Sequence, residues 1–242
     1  MAGAGSRELR LLSYNVRSLR DDKAAVAAVI QACRPDVVAV QEAPRFLRWR
    51  SKRAALARES GMLVATADRP GGLLILTTLA VRVRRTSFAL LPKSPRLHQR
   101  AVCVADLELG GLAWRVASVH FSLDPEERQR HLPSVWAAVD ADPTEPAGAL
   151  VVAGDINEGP NRPVWRAMAE RLQDAFAVAG GGGAGDGDTY STVNRRKRID
   201  GIFADPRVEV VDCRVVTDLP DAATVARASD HFPLLATLRL RP

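Results

Sequence analysis

Short apolar segments recur along the chain, and many of them end in a polar side chain. Residues 151–153 are apolar and are followed by Gly154, Asp155 and, two positions later, Asn157. This pattern is typical of a buried strand, and because side chains alternate along a strand, Asp155 and Asn157 are expected to point the same way. Taken alone, the two residues are equally suited to capping the turn that follows.

The first sixty residues predict strands connected by helices. The expected elements are a strand over 9–15, a helix with an N-cap at Asp21 or Asp22, a strand over 36–40 and a helix over 45–58. The helix over 45–58 carries six basic residues and is predicted to be amphipathic with a basic outer face. Asn15 ends the first strand, and Glu42 follows the second.

From residue 61 the pattern changes to shorter strands separated by turn signals. Further strands are expected over 62–65, 73–79, 87–91, 101–109, 112–120, 151–155, 199–203, 208–216 and 234–240. Helices are expected after Asp124 and after Asn161, since each site combines a helix-starting residue with a nearby proline. The glycine-rich segment 180–187 predicts a flexible surface loop or a lid over a substrate.

Length and composition indicate a globular protein. A chain of 242 residues with 47% hydrophobic content can bury a core, and we expect one domain over residues 1–242. No apolar run reaches the length of a membrane span or of a signal peptide, so a soluble, cytoplasmic protein without a membrane anchor is expected. The three cysteines, Cys33, Cys103 and Cys213, have no ligand-like spacing and predict buried free thiols.

The net charge of +6 and the pI near 9.8 favour a polyanionic partner. A basic run at 195–198 lies close to Asp200 and favours nucleic acid in particular. An arginine-rich composition alone also produces such a charge, so the charge does not decide the function.

Eight polar residues collect where apolar strands end. They are Asn15, Glu42, His120, Asp155, Asn157, Asp200, Asp230 and His231. Four of the eight are carboxylates, and two carboxylates about 4 Å apart repel by about 4 kcal/mol at an effective dielectric constant of 20. A hard divalent cation compensates such repulsion, and oxygen ligands favour Mg²⁺, with Mn²⁺ as a substitute, over zinc.

The chain resembles the endonuclease/exonuclease/phosphatase superfamily, which includes pancreatic-type deoxyribonuclease. The motifs that carry the resemblance are Ser13-Tyr-Asn15-Val-Arg17, Gln41-Glu42, Ser118-Val-His120, Gly154-Asp155-Ile-Asn157, Arg198-Ile-Asp200 and Ser229-Asp230-His231-Phe-Pro233. Six motifs in the family's order are far more specific than any one of them. The resemblance implies an α/β fold, a four-layer α/β/β/α sandwich of two mainly antiparallel sheets with helices on both outer sides. It also implies Mg²⁺-dependent hydrolysis of a phosphoester.

The resemblance further implies roles for the metal ligands and the attacking water. Glu42 resembles the principal Mg²⁺ ligand with Asn15 beside it, and Asp230 resembles a ligand for a second or transient metal. Asp155 corresponds to the group that polarises or deprotonates the water. Asn157 corresponds to the group that holds the water or a phosphoryl oxygen.

Two histidines and two arginines complete the expected site. His231 resembles a donor to the phosphate, oriented by Asp200. His120 is a further catalytic residue by the same resemblance, and Arg17 and Arg100 are candidates for phosphate contact.

One position departs from the deoxyribonuclease pattern. Members of that type pair the histidine at position 120 with a glutamate, and here residues 70–72 are Pro-Gly-Gly instead. We therefore expect His120 to act as a neutral hydrogen-bond donor.

The predicted function is a monomeric Mg²⁺-dependent phosphodiester hydrolase, most specifically a nuclease acting on DNA. One alternative is a phosphatase or a phospholipid phosphodiesterase of the sphingomyelinase or inositol-phosphate type. A second alternative, from a different class, is a non-catalytic binding module on the same fold. That second alternative is disfavoured because each principal catalytic position carries a side chain that can perform the catalytic role.

Overall fold

The computed structural model describes residues 8–66, 68, 70–140, 148–180, 187–194 and 197–240. Two sequence predictions fall mainly outside these ranges. Residues 181–186 of the glycine-rich segment and Arg195 and Arg196 of the basic run lie outside the described residues.

Sheet A has six strands. They are β1 (Glu8–Asn15), β2 (Val37–Gln41), β3 (Leu63–Val64), β4 (Leu74–Thr77), β11 (Val208–Val215) and β12 (Leu234–Leu240). Their order is β11-β12-β1-β2-β4-β3. β1 and β2 are parallel and are connected by helix α1 (Lys23–Cys33), whereas the other pairs in the sheet are antiparallel.

Sheet B also has six strands. They are β5 (Arg82–Leu90), β6 (Ala101–Leu109), β7 (Leu112–His120), β8 (Ala149–Asp155), β9 (Gln173–Asp174) and β10 (Asp200–Ala204). Their order is β5-β6-β7-β8-β10-β9. Here β7 and β8 form the parallel pair, connected by helix α3 (Pro125–Asp140), and the other pairs are antiparallel.

Alternation along the central strands explains how the two sheets and the helices pack. In β8, Val151 and Ala153 belong to the core that sheet A shares, whereas Leu150 and Val152 pack with residues of α3 and α4 (Pro163–Arg171). On the side of sheet A, helix α1 contacts both α2 (Trp49–Glu59) and α6 (Ala222–Ala228). A short helix, α5 (Ala175–Val178), contacts β10 and β11. The predicted four-layer α/β/β/α sandwich is therefore confirmed.

The topology explains why polar groups from distant segments meet. Parallel neighbours have their carboxyl ends at the same edge, so Asn15 is level with Gln41, and His120 is level with Asp155. The antiparallel strand β10 enters at this same edge, where Asp200 is paired with Asp155. One edge of the sandwich thus collects the ends of five strands.

The segment 45–58 corrects two sequence predictions. Helix α2 begins only at Trp49, and Phe46 and Leu47 lie in the preceding turn, 73% and 82% exposed. Arg53 does not belong to a basic outer face but is buried, where its guanidinium donates to the backbone carbonyls of Pro44, Asp68 and Leu73. A guanidinium has five N–H donors and can satisfy three carbonyls at once. The charge pattern alone did not reveal that Arg53 is buried.

Other elements agree with the sequence predictions, differ from them in length or were not predicted. β5 is longer than the predicted strand over 87–91, and α6 was not predicted. Asp22 caps α1 by accepting from Ala24 N and Ala25 N. The three cysteines are buried free thiols, as predicted. Among the described residues, none of the helices has both the length and the apolar character required to cross a membrane.

Candidate active site

Asn15 joins two carboxylates that are remote in sequence. Its Nδ2 lies 3.1 Å from Asp155 Oδ2 and 3.4 Å from Glu42 Oε1, and its Oδ1 accepts from Arg17 N at 3.1 Å. Asn15 and Asp155 are buried, whereas Glu42 is only partly buried. The site therefore has a closed floor at Asp155 and an open side at Glu42.

His231 and Asp200 form the hydrogen-bonded pair that the sequence predicts. His231 Nδ1 lies 2.9 Å from Asp200 Oδ2, and both side chains are buried. Burial disfavours the charged imidazole, but the Asp200 carboxylate outweighs this effect and the pKa of His231 rises to about 10. His231 is thus held in its cationic form at neutral pH.

Asp155 lies at the centre of the buried groups. Its Oδ2 is 3.9 Å from His231 Nε2 and 3.3 Å from His120 Nε2, and its Oδ1 accepts from Asn157 N at 2.9 Å. Burial and the neighbouring Asp200 carboxylate raise the pKa of Asp155 to about 7, although His231 opposes the shift. A carboxylate with such a pKa can exchange a proton near neutral pH.

His120 differs from His231 because no carboxylate orients its second nitrogen. Its Nδ1 is buried and makes no hydrogen bond with any described residue. Burial and the positive charge of Arg100 lower the pKa of His120 well below its usual range. The ring is therefore neutral. In the place where deoxyribonuclease-type relatives are expected to have a glutamate, the structure has the turn Pro70–Gly72.

The loop after β8 requires two unusual backbone positions. A Cβ at Gly154 would lie 1.9 Å from the Val119 carbonyl oxygen, so only glycine permits β8 to approach β7 this closely. Asn157 has a φ of 58°, a left-handed conformation that asparagine tolerates, and its Nδ2 donates to Phe121 O at 3.0 Å. The Gly-Asp-x-Asn motif therefore satisfies backbone geometry as well as placing two polar groups.

Arg17 and Asp230 form the rim of the site. Arg17 Nε lies 3.3 Å from Asp230 Oδ2, and its guanidinium also contacts Asp21 at 3.1 Å. Residues 17–19 all have positive φ, which is rare for residues other than glycine, and they place the Arg17 side chain over Asp230. Arg17, a candidate for phosphate contact, is thus exposed but already paired with a carboxylate.

Arg100 lies just before β6 and is half-buried. Burial lowers the pKa of its guanidinium, and the charges of Asp155 and Glu42 oppose this shift. The Arg100 guanidinium therefore interacts electrostatically with the carboxylates of Asp155 and Glu42 and remains partly accessible to solvent.

The donor set fits a hard divalent cation. Asp200 is paired with His231 and Asp230 with Arg17, whereas Glu42 makes no ion pair within the described part of the chain. Asp200 Oδ1 is buried without a hydrogen-bond partner among the described residues, which leaves a further oxygen unsatisfied. Among the described residues, ligand atoms of Asp155, Asp200 and His231 lie within 4.8 Å of one another.

Those three groups could share an ion, but the hydrogen bond from His231 to Asp200 already stabilises them. Glu42 presents its carboxylate on the open side, and such an oxygen ligand suits Mg²⁺ better. Asn15 turns its amide nitrogen toward Glu42 and its oxygen toward Arg17 N.

The sequence did not reveal Thr189 and Tyr190. Thr189 Oγ1 accepts from the backbone N–H groups of Ile199 and Asp200, at 3.2 and 3.1 Å, and so fixes the start of β10. The Tyr190 ring lies 4.9 Å from the His231 ring, centroid to centroid. These residues follow the glycine-rich segment and stand outside the strand-end pattern that identified the others.

A family model and several solved structures resemble this chain. The model of the Endonuclease/Exonuclease/phosphatase family matches residues 12–231. An endonuclease/exonuclease/phosphatase from Bacteroides vulgatus is 20% identical and superimposes with a TM-score of 0.77, over 97% of this chain and 99% of that chain.

Two further structures share the fold. A mannosyl-6-phosphatase from Bacteroides thetaiotaomicron is 16% identical, with a TM-score of 0.78 over 95% of this chain and 99% of its own. TDP2 from Caenorhabditis elegans is 18% identical, with a TM-score of 0.72 over 96% of this chain and 75% of its own. No curated protein matches the sequence.

Proposed function

The chain belongs to the endonuclease/exonuclease/phosphatase family and is a phosphoester hydrolase, and we propose that it is a Mg²⁺-dependent phosphodiesterase that acts on DNA. The observation that carries the proposal is the link from Glu42 through Asn15 to Asp155, next to the buried Asp200–His231 pair. It combines an open carboxylate at Glu42, a carboxylate at Asp155 that is suited to accept a proton, and a cationic donor at His231 within one site.

The residues divide the reaction among them. Glu42 would hold Mg²⁺, together with Asn15 after its amide oxygen turns away from Arg17 N. Asp230 would hold a second or transient metal after it leaves Arg17. When bound, the metal stabilises charge on the phosphoryl oxygens. Asp155 accepts the proton of the attacking water, since the pKa of its carboxyl near 7 is matched to neutral pH.

Other side chains orient the substrate. Asn157, fixed through Phe121 O, orients the attacking water or a phosphoryl oxygen. The His231 imidazolium donates a hydrogen bond to the phosphate, and Asp200 keeps it charged. His120 donates as a neutral ring, and Arg100 and Arg17 contact phosphate at the rim.

DNA is proposed from the charge of the molecule. A net charge of +6 attracts a polyanion, and Lys197, next to the site in sequence, remains exposed. A phosphomonoesterase is the second candidate, because the similar structure from B. thetaiotaomicron is a mannosyl-6-phosphatase.

A substrate panel tests the proposal. The purified protein with Mg²⁺ would be given plasmid DNA, RNA, sphingomyelin, inositol phosphates, mannose 6-phosphate and a chromogenic phosphodiester. We expect hydrolysis of DNA and of the chromogenic diester, and no hydrolysis in excess EDTA. Turnover confined to phosphomonoesters would favour the second candidate, and activity confined to sphingomyelin vesicles would favour a phospholipase.

Two substitutions test the assignment of the site. Asp155→Asn should lower kcat by about 10²-fold or more, the range for loss of an acid–base group. Glu42→Gln should raise the Mg²⁺ concentration needed for half-maximal activity, because it removes one ligand charge and keeps the shape. Asp140→Asn, in an exposed ion pair with Arg171 at the far end of α3, is the matched control and should keep wild-type activity. Full activity of Asp155→Asn would refute the assignment.

A further inference from the structure

A cleft of about 310 Å³ lies between the beginning of α1 and one side of α2. Lys23, Arg48 and Lys52 line this α1–α2 cleft, and Glu59 is the one acidic residue among its described lining residues. Within the described part of the chain, none of the three basic side chains forms an ion pair, whereas Glu59 contacts Arg58 at 3.9 Å. The cleft therefore carries uncompensated positive charge.

Two of the three cations, Arg48 and Lys52, lie at the uncapped N-terminus of α2. Lys23 is the first residue of α1, and neither helix has an acidic residue in its first turn. A helix N-terminus carries a partial charge of about +0.5, so a cation there is destabilising. At α1 the Asp22 carboxylate caps the helix and offsets this partial charge, whereas no side chain caps α2. The N-terminus of α2 therefore adds to the positive potential of the cleft.

The cleft shares a wall with the active site. Ser18 and Leu19 line the cleft, while Ser18 N donates to Glu42 O at 2.8 Å. The preceding residue, Arg17, reaches Asp230 at the rim of the site. The turn at 17–19 therefore lies between the cleft and the catalytic groups and contacts both.

An exposed apolar tip stands beside the cleft. Phe46 and Leu47 immediately precede Arg48 and are largely exposed, and the Arg45 guanidinium lies 5.2 Å from the centroid of the Phe46 ring. Basic side chains interleaved with an exposed aromatic ring are typical of surfaces that bind single-stranded nucleic acid, where cations contact phosphates and rings stack on bases.

We propose that the α1–α2 cleft binds a phosphodiester of a nucleic-acid strand next to the one being cleaved, and that a neighbouring base stacks on Phe46. The inference rests on the proposed function and adds to it a binding site outside the catalytic residues. A discrete phosphate enters a cleft of this size, whereas a membrane surface would touch only its rim. The cleft thus selects a strand that continues beyond the scissile bond.

Binding measured without catalysis tests the proposal. A fluorescein-labelled oligothymidine would be titrated in excess EDTA at several salt concentrations, with the wild type and with Lys23→Gln/Lys52→Gln. Each phosphate contact to a single strand contributes about 0.7 to the slope of log Kd against log salt. The double variant should therefore lower the slope by about 1.4. Phe46→Ala should weaken binding by a similar factor at every salt concentration and leave the slope unchanged, because stacking on a ring releases no counterions.

The matched control is Arg34→Gln/Arg82→Gln. It removes the same charge from the opposite end of the molecule, since Arg34 precedes β2 and Arg82 pairs in register with Glu108 near the end of β6. Its slope should equal that of the wild type. An equal loss of slope in both double variants, or in neither, would overturn the proposal.

Two further outcomes separate this inference from the proposed function. If the wild type bound no oligothymidine but bound phosphatidylserine vesicles through Lys23 and Lys52, the cleft would be a lipid site and the inference would be wrong. If the wild type bound the strand as described but hydrolysed no phosphodiester with Mg²⁺, the proposed function alone would fail. Hydrolysis of a small chromogenic diester should be unchanged in Lys23→Gln/Lys52→Gln, since that substrate cannot reach the cleft.

Discussion

At the scale of single residues, two buried histidines in one site have different charges, since one ring is cationic and the other is neutral. His231 is held cationic by Asp200, whereas no carboxylate in the described part of the chain bonds to His120 Nδ1, and that ring is neutral. A cationic ring can donate to a phosphate oxygen with a charge-assisted hydrogen bond, which is about twice as strong as a neutral one. The presence or absence of a carboxylate at Nδ1 therefore decides whether each histidine donates as a cation or as a neutral ring.

Asp200→Asn should move the alkaline limb of the pH–rate profile to lower pH. A raised pKa keeps His231 protonated until pH rises to about 10, and without the carboxylate the ring loses its proton earlier. The change is measured as kcat/KM against pH on a chromogenic phosphodiester. An alkaline limb that does not move would show that Asp200 does not control the protonation of His231.

A double-mutant cycle tests whether the two residues act together. His231→Ala in the Asp200→Asn background should cost far less activity than in the wild type, since residues acting as a unit are not additive. Asp140→Asn in place of Asp200→Asn is the control and should leave the full cost of His231→Ala. Additive losses for Asp200 and His231 would contradict their pairing.

At the scale of elements, a buried ion pair joins the two helices that cover sheet B. Arg128 Nε lies 3.0 Å from Glu158 Oε2, and Arg128 also donates to the carbonyls of Ser122 and Leu123. Glu158 Oε1 accepts from the first N–H groups of α4, at Val164 and at the residue after it. The pair thereby fixes α3, α4 and the loop that carries Asn157.

Glu158→Ala should destabilise the protein by about 3–5 kcal/mol, because it leaves Arg128 charged and buried. Arg128→Ala should cost a similar amount, and the double variant should cost less than the sum. Urea unfolding measures all three. Asp218→Ala breaks the exposed Arg214–Asp218 pair, 3.3 Å apart, and should cost less than about 1 kcal/mol. A loss that small in Glu158→Ala would show that the buried pair does not hold the helices together.

At the scale of the whole molecule, the site belongs to neither sheet alone. Sheet A supplies Asn15 and, just beyond β2, Glu42, whereas sheet B supplies Asp155 and Asp200. A cross-sheet hydrogen bond, from Gln41 Nε2 to Ser118 Oγ at 3.2 Å, lies beneath them. A ligand that contacts groups of both sheets therefore stabilises the packing of the sandwich.

Mg²⁺ should raise the Tm of the wild type. Binding at about 100 times Kd stabilises the native state by about 2.7 kcal/mol. For a chain of this length that corresponds to about 5–10 °C. Glu42→Gln should shrink the shift, while Glu170→Gln, an exposed change on α4, should keep it. A shift of equal size in Glu42→Gln, measured by thermal unfolding with and without Mg²⁺, would exclude Glu42 as a ligand.

The sequence alone determined most of the strands and the polar residues at their ends, although it missed β9 and the first half of β5. β6, β7 and β12 have the predicted bounds, because alternating apolar residues and glycine turns are local signals. The segment at 45–48 was not predicted correctly, since Phe46 and Leu47 fit a helical stripe as well as an exposed turn. α6 was not predicted because it carries few large apolar residues, and its N-cap, Asp221, is a weak signal without an apolar stripe.

Only the tertiary structure decided how those residues act on one another. The pairing of Asp200 with His231 followed from the family resemblance, but the pKa shifts depend on burial and on distances between strands of two sheets. The pairing of Arg17 with Asp230 and the uncompensated charge of the α1–α2 cleft likewise depend on segments far apart in sequence. The same holds for His120 Nδ1, which has no hydrogen-bond partner among the described residues. Local patterns specify elements, whereas electrostatic interactions depend on distance in space, and distance in space is set by the packing of the whole chain.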